Sequence, residues 1–173
     1  MLKILIVEDE ALLAQTLKHL IELNPLYQVT GLAADLDGAL ASADAARPDL
    51  ALVDLQLARG STGFHVAVKL KERGIPCLFT TGNAPSFPVA ELALGCLLKP
   101  YFEEDVVRAL KTAEDMVRGR ERLRPSLPQG LQIYPAYRED EAGVEIPPAQ
   151  PPAVANRARP KTRLRKMVER LTG

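Results

Sequence analysis

The chain has 173 residues, 47% hydrophobic and 25% charged, with a formal net charge of zero; this suits a soluble globular protein of one ordinary domain plus an appendage. The zero hides an asymmetry: residues 1–112 carry 10 Lys and Arg against 14 Asp and Glu, and residues 113–173 carry 12 against 8. No apolar run approaches the roughly 20 residues of a membrane span, and Leu2-Lys3-Ile4-Leu5-Ile6-Val7 is too short and wrongly flanked for a secretion signal, so a cytoplasmic protein is expected.

Residues 2–7 read as a buried strand, followed at once by Glu8-Asp9-Glu10. Leu12, Leu13, Leu17, Leu20 and Ile21 then keep helical spacing until Asn24-Pro25. Residues 28–33 form a weaker second strand, and Asp35 or Asp37 caps a helix running to Arg47-Pro48. The run Leu50-Ala51-Leu52-Val53 has the apolar character of a strand covered on both faces, and it ends in Asp54. Gly60 and Gly63 punctuate the loop that follows, and residues 64–73 make another helix, closed by Gly74. Cys77-Leu78-Phe79-Thr80-Thr81 is the fourth strand; Pro85 and Pro88 leave only residues 89–94 for a fourth helix, short or irregular. Cys96-Leu97-Leu98 is the fifth strand, ending in Lys99-Pro100. Glu103-Glu104-Asp105 opens a last helix with negative charge where the helix dipole favours it.

Five strands alternating with helices predict an α/β, flavodoxin-like fold: a five-stranded parallel sheet of order 2-1-3-4-5 with helices on both faces. In that order the first and third strands are neighbours, so Glu8, Asp9 and Asp54 converge at one carboxyl edge. Three carboxylates together repel one another and favour a cation. Oxygen-only ligands suit a hard ion such as Mg²⁺. Thr81 and Lys99, at the ends of strands four and five, point to the same edge, and a hydroxyl and an ammonium facing a metal site form a clamp for a phosphoryl group. Thr80 is the alternative hydroxyl, but Thr81 directly precedes Gly82 and is preferred. Glu10 reads as a first-turn helix charge, Cys77 and Cys96 as buried reduced thiols, and His19 and His65 as surface or packing residues.

On the residues Glu8, Asp9, Asp54, Thr81-Gly82 and Lys99-Pro100, in order at strand ends, the chain resembles a receiver domain of the two-component response-regulator family over residues 1–120. The resemblance implies that Asp54 is the phosphoacceptor, that Glu8, Asp9 and Asp54 bind Mg²⁺ with the main chain of Gln56, that Thr81 is the switch hydroxyl, and that Lys99 binds phosphate. It also implies that the Lys99-Pro100 bond is of a kind often cis, that Gln56 and Asn83 side chains tune dephosphorylation, and that a sensor histidine kinase or histidine phosphotransfer protein is the donor. Phe79-Thr80-Thr81-Gly82-Asn83 also resembles the Phe-Ala-Thr-Gly motif of an atypical alphaproteobacterial receiver group.

Two departures stand out. Cys96 occupies the position three before the lysine, where the family often has an aromatic residue that reports phosphorylation, and only 17 residues separate Thr81 from Lys99, fewer than the family usually has. Phosphorylation is therefore expected to remodel residues 82–94 instead of turning an aromatic side chain.

Eight of the 14 prolines lie between Pro125 and Pro160, so residues 121–160 read as a linker that cannot bury a core. Within it Leu131, Ile133, Tyr134 and Tyr137 are either a short docking segment or scattered apolar residues. Residues 161–173 form a short basic helix or a disordered tail; seven Lys and Arg between Arg157 and Arg170 raise a nucleic-acid or anionic-surface reading. The tail is too short for a standard DNA-binding output domain. The expectation is a stand-alone receiver that signals by protein contact or passes phosphate along a relay, and that catalyses only its own phosphorylation and dephosphorylation. A transcriptional regulator using the basic tail is the alternative. A phosphohydrolase resembling the haloacid-dehalogenase family requires Asp-x-Asp, and Asp54-Leu55-Gln56 lacks the second acid.

Overall fold

The structure, a computed structural model, describes residues 1–57, 60–86, 89–120, 127–128 and 130–134, together with the backbone of 138–139 and 145–146. The chain divides into two compact units, residues 1–134 and 135–173.

The first unit is built on a six-stranded sheet of order β2-β1-β3-β4-β5-β6. Its strands are β1 (Leu2–Val7), β2 (Tyr27–Ala33), β3 (Leu50–Asp54), β4 (Cys77–Thr81), β5 (Gly95–Leu98) and β6 (Leu131–Ile133). The first five run parallel, in the expected order. Strand periodicity sends alternate side chains to opposite faces, and because both faces are covered, both sets are apolar. Ile4, Ile6, Leu50, Leu52, Leu78 and Leu97 pack with helices α1 (Ala11–Glu22) and α4 (Glu103–Val117). Leu5, Val7, Ala51, Val53, Phe79 and Cys96 pack with α2 (Leu36–Ala46) and α3 (Gly63–Lys71).

The helix ends follow from local chemistry. Asp35, not Asp37, caps α2, its Oδ1 accepting from the Gly38 N–H at 2.9 Å. Thr62 caps α3 through the His65 N–H at 3.2 Å. In α4 the Asp105 carboxylate reaches back to the Phe102 N–H at 2.9 Å, and the acids of the first turn lie where the dipole favours them.

Two expectations are corrected. The sheet has six strands, not five: β6 runs antiparallel beside β5, pairing Gly95 with Ile133, Cys96 with Gln132 and Leu97 with Leu131. The linker expected over residues 121–160 thus contains a strand of the first unit, and Leu131, Ile133 and Tyr134, at 5–9% exposure, dock onto the chain's own sheet. The fourth helix expected over residues 89–94 does not form. With Pro85 close before it, the segment closes only one turn, in which the Leu92 and Ala93 amides donate to the Val89 carbonyl at 2.8 and 3.1 Å. In the second unit, β7 (Arg138–Glu139) and β8 (Glu145–Ile146) pair antiparallel. The basic helix or tail expected over residues 161–173, and Tyr137, lie outside the described residues.

Candidate functional site

Parallel pairing of β1 with β3 brings Val7 opposite Val53, so the residues that follow each strand meet at one edge. Glu8 and Asp54 are buried there, at 4% and 5% exposure, and Asp9 is half-buried. Carboxylate oxygens of Glu8, Asp9 and Asp54 all lie within 4.8 Å of one another. This is the only such acidic or metal-ligating group among the described residues. Lys99 enters from the end of β5, and its Nζ donates to Asp54 Oδ2 at 2.5 Å and to Glu8 Oε2 at 2.8 Å. One ammonium therefore bridges two buried acids and offsets part of their mutual repulsion.

The electrostatics follow from that geometry. Burial is the largest influence on Glu8 and pushes its pKa above 4.5; hydrogen bonding and attraction to Lys99 offset part of the rise, and the Asp54 charge adds to it. For Lys99 burial alone would lower the pKa, but the hydrogen bonds and charges of Asp54 and Glu8 prevail and hold it above 10.5.

Asp54 Oδ1 accepts from the Gln56 backbone N–H at 2.9 Å, which fixes the carboxylate and places the Gln56 main chain at the site. The next turn depends on a residue read from sequence only as loop punctuation. Gly63, the first residue of α3, packs so closely on this loop that a Cβ would lie 2.1 Å from the Asp54 carbonyl oxygen and 2.6 Å from Leu55 Cα. The signal was a glycine directly after Thr62 at a helix start.

Both threonines at the end of β4 are buried. The register sets Thr80 opposite Asp54 and Thr81 opposite Leu98. The Thr81 hydroxyl accepts from the Asn83 N–H at 3.3 Å, and the Thr81 carbonyl accepts from the Lys99 N–H at 2.7 Å, tying the two strand ends together. The Lys99–Pro100 peptide bond is cis. Gln56 and Asn83 are exposed at the rim.

Cys77 and Cys96 are buried free thiols, each pushed up to about 12 by burial. His19 and His65 are exposed. The position where an aromatic was missing does have one beside it: Tyr134, from the end of β6, lies against Cys96. Its signal in the sequence was the alternation Leu131, Ile133 beside Tyr134, obscured by the surrounding prolines. Tyr101, directly after the cis proline, is buried with its hydroxyl unpaired.

Residues 4–111 match the family described as response regulator receiver domain. The chain is 35% identical over 117 residues to the sensory transduction protein LytT of Bacillus cereus, covering 64% of this chain and 46% of that protein. It is 31% identical over 152 residues to the nitrate/nitrite response regulator protein NarL of Escherichia coli, covering 83% and 69%. The chain thus spans about half the length of the LytT proteins it matches. Among solved structures, a CheY-like response regulator receiver domain protein from Methanospirillum hungatei superposes with a TM-score of 0.61 at 25% identity, over 70% of this chain and 99% of that one. The signal receiver domain of a modulated diguanylate cyclase from Desulfovibrio desulfuricans gives 0.59 at 28% identity, over 70% and 99%.

Proposed function

Because the chain belongs to the response regulator receiver domain family, we propose that it takes a phosphoryl group onto Asp54 from the phosphohistidine of a sensor histidine kinase or histidine phosphotransfer protein. The observation that carries this reading is the convergence of Glu8, Asp9 and Lys99 on the Asp54 carboxylate. A donor set made only of carboxylate oxygens fits Mg²⁺; Glu8, Asp9, Asp54 and the main chain of Gln56 would hold it, and bound there it would offset charge on the phosphoryl oxygens.

The rest falls to the chain's own residues. An Asp54 oxygen attacks phosphorus, the O–P bond forms, and the P–N bond breaks with its electron pair leaving on the donor imidazole, which then takes a proton. Lys99 already contacts Asp54, and its ammonium can pass from Glu8 to the new phosphoryl oxygens without crossing solvent. The Thr81 hydroxyl turns to donate a hydrogen bond to the same group. In dephosphorylation, water attacks phosphorus, the Asp54 O–P bond breaks and inorganic phosphate leaves, restoring Asp54, with Gln56 and Asn83 at the rim governing access. The protein catalyses only its own phosphorylation and dephosphorylation, and signals through a protein partner or a relay.

Residues 82–94 are the segment that changes on phosphorylation, consistent with the turn at Val89–Ala93 where a helix was expected. The string Phe79-Thr80-Thr81-Gly82-Asn83 favours placement in the atypical alphaproteobacterial receiver group. A second output, DNA binding, is motivated by the seven Lys and Arg between Arg157 and Arg170. DNA affinity abolished by deleting residues 157–173 would support it.

The central reading is tested by intact-mass measurement after incubation with acetyl phosphate and Mg²⁺. Wild type should gain one phosphoryl group and Asp54→Asn none. No adduct on wild type, or an equal adduct on the variant, overturns it.

A further inference from the structure

The element that sequence reading missed connects the pocket to the edge of the sheet. β6 has three residues, introduced by Gly130 at φ 92°. Its backbone is held at both ends: the Leu98 N–H donates to the Gly130 carbonyl at 2.9 Å, and the Tyr134 N–H donates to the Leu94 carbonyl at 2.9 Å. Close approach depends on Gly95, where a Cβ would lie 2.2 Å from the Gln132 carbonyl oxygen. Leu131 and Ile133 join the α1/α4 side of the core, whereas Tyr134 joins the other side, beside Cys96 and Phe79. The docking is weak in one respect: the Tyr134 hydroxyl is buried, with the Cys96 thiol as its polar neighbour. A thiol is a weak partner for a buried hydroxyl, so β6 is held less firmly than its apolar area alone would hold it.

The Leu94 carbonyl that anchors Tyr134 ends the loop that begins beside Thr81. At the start of this loop the Thr81 hydroxyl accepts from Asn83; at its end the Leu94 N–H donates to the Cys77 carbonyl at 2.8 Å and its carbonyl receives Tyr134. We propose that β6 is a displaceable strap governed by the phosphorylation site: in the unmodified chain it covers the β5 edge with Tyr134 seated against Cys96, and phosphoryl transfer to Asp54 loosens it. The link is mechanical. A Thr81 hydroxyl that turns toward a phosphoryl group releases Asn83, the loop shifts, and the Leu94 carbonyl is drawn from the Tyr134 amide. What is uncovered is the hydrogen-bonding edge of β5. This proposal rests on Asp54 being the phosphoacceptor.

The experiment is amide exchange on the full chain with and without acetyl phosphate and Mg²⁺, with intact mass recorded on the same samples. Exchange at Tyr134 and Leu98 should quicken roughly tenfold or more once the adduct forms, as for a locally opened segment. Gly95→Ala should exchange fast at both amides in either state while still gaining the adduct. Tyr134→Phe, which keeps the ring and removes the buried, weakly partnered hydroxyl, should exchange more slowly than wild type. A complete adduct with unchanged or slowed exchange overturns the strap alone, as does Gly95→Ala exchanging like wild type. Absence of any adduct overturns the phosphoacceptor reading, and the strap with it.

Discussion

Lys99 couples stability to function in this site. Its side chain is 18% exposed and holds two carboxylates that are 3% and 7% exposed, so removing it leaves two buried acids facing each other without a cation. Breaking a fully buried pair costs about 3–5 kcal/mol; the partly open mouth of this pocket lowers the expectation for Lys99→Met to roughly 1–3 kcal/mol at pH 7. The pH dependence has a definite sign. The folded state holds the Lys99 proton above 10.5, beyond the unfolded chain, so the contribution of Lys99 is complete below 10.5 and is lost as pH rises through the folded value. Urea denaturation from pH 7 into the alkaline range should show wild type more stable than Lys99→Met, with the gap closing above pH 10.5. A gap that does not change with pH would show that Lys99 acts by packing its aliphatic stem and not by its charge.

At the scale of elements, the start of α3 packs directly on the backbone that carries Asp54. Gly63 and Gly82 flank the pocket in sequence but differ physically. A Cβ at Gly63 would meet the Asp54 and Leu55 backbone, whereas a Cβ at Gly82 would meet nothing within 4 Å. Backbone cannot rotate aside as a side chain can, so Gly63→Ala should cost about 1–3 kcal/mol or more and, by displacing the loop that carries Asp54, sharply slow adduct formation with acetyl phosphate. Gly82→Ala should stay within about 0.5 kcal/mol of wild type. Equal effects of the two substitutions on melting and adduct yield would refute the argument. Elements with strong periodicity were legible from residues alone: β1, β3 and β4 as apolar runs, α1 and α4 as apolar stripes. The segment between β4 and β5 was legible as proline-crowded and short, but the Leu94 N–H donates to the Cys77 carbonyl and ties its end to the sheet, a contact that exists only in the fold. β6 was obscured because three residues carry too little alternation to stand out among prolines, and its partner Gly95 advertises close approach only once the sheet exists.

Across the whole molecule the same division holds. The site was legible because a parallel sheet of this order must bring the residues at or just past the ends of β1, β3, β4 and β5 to one edge, so Glu8, Asp9, Asp54, Thr81 and Lys99 could be placed together before any side-chain geometry was known. The limit of the first unit was not legible, because composition marks where prolines begin and not where the last contact is made. That difference bears directly on stability. A chain ending at Arg120 lacks Leu131, Ile133 and Tyr134, which are 6%, 9% and 5% exposed in the fold, and leaves the β5 edge and Cys96 uncovered. Burying such side chains and pairing the strand stabilise the fold, and the backbone entropy of ordering it offsets most of that gain. The net loss relative to a chain ending at Tyr134 should be on the order of 1–3 kcal/mol. Urea denaturation of the two chains should separate their midpoints accordingly, with a smaller denaturant slope for the shorter chain because less surface is exposed when it unfolds. Coincident curves would mean that β6 adds nothing to the fold and that the sheet is complete at β5.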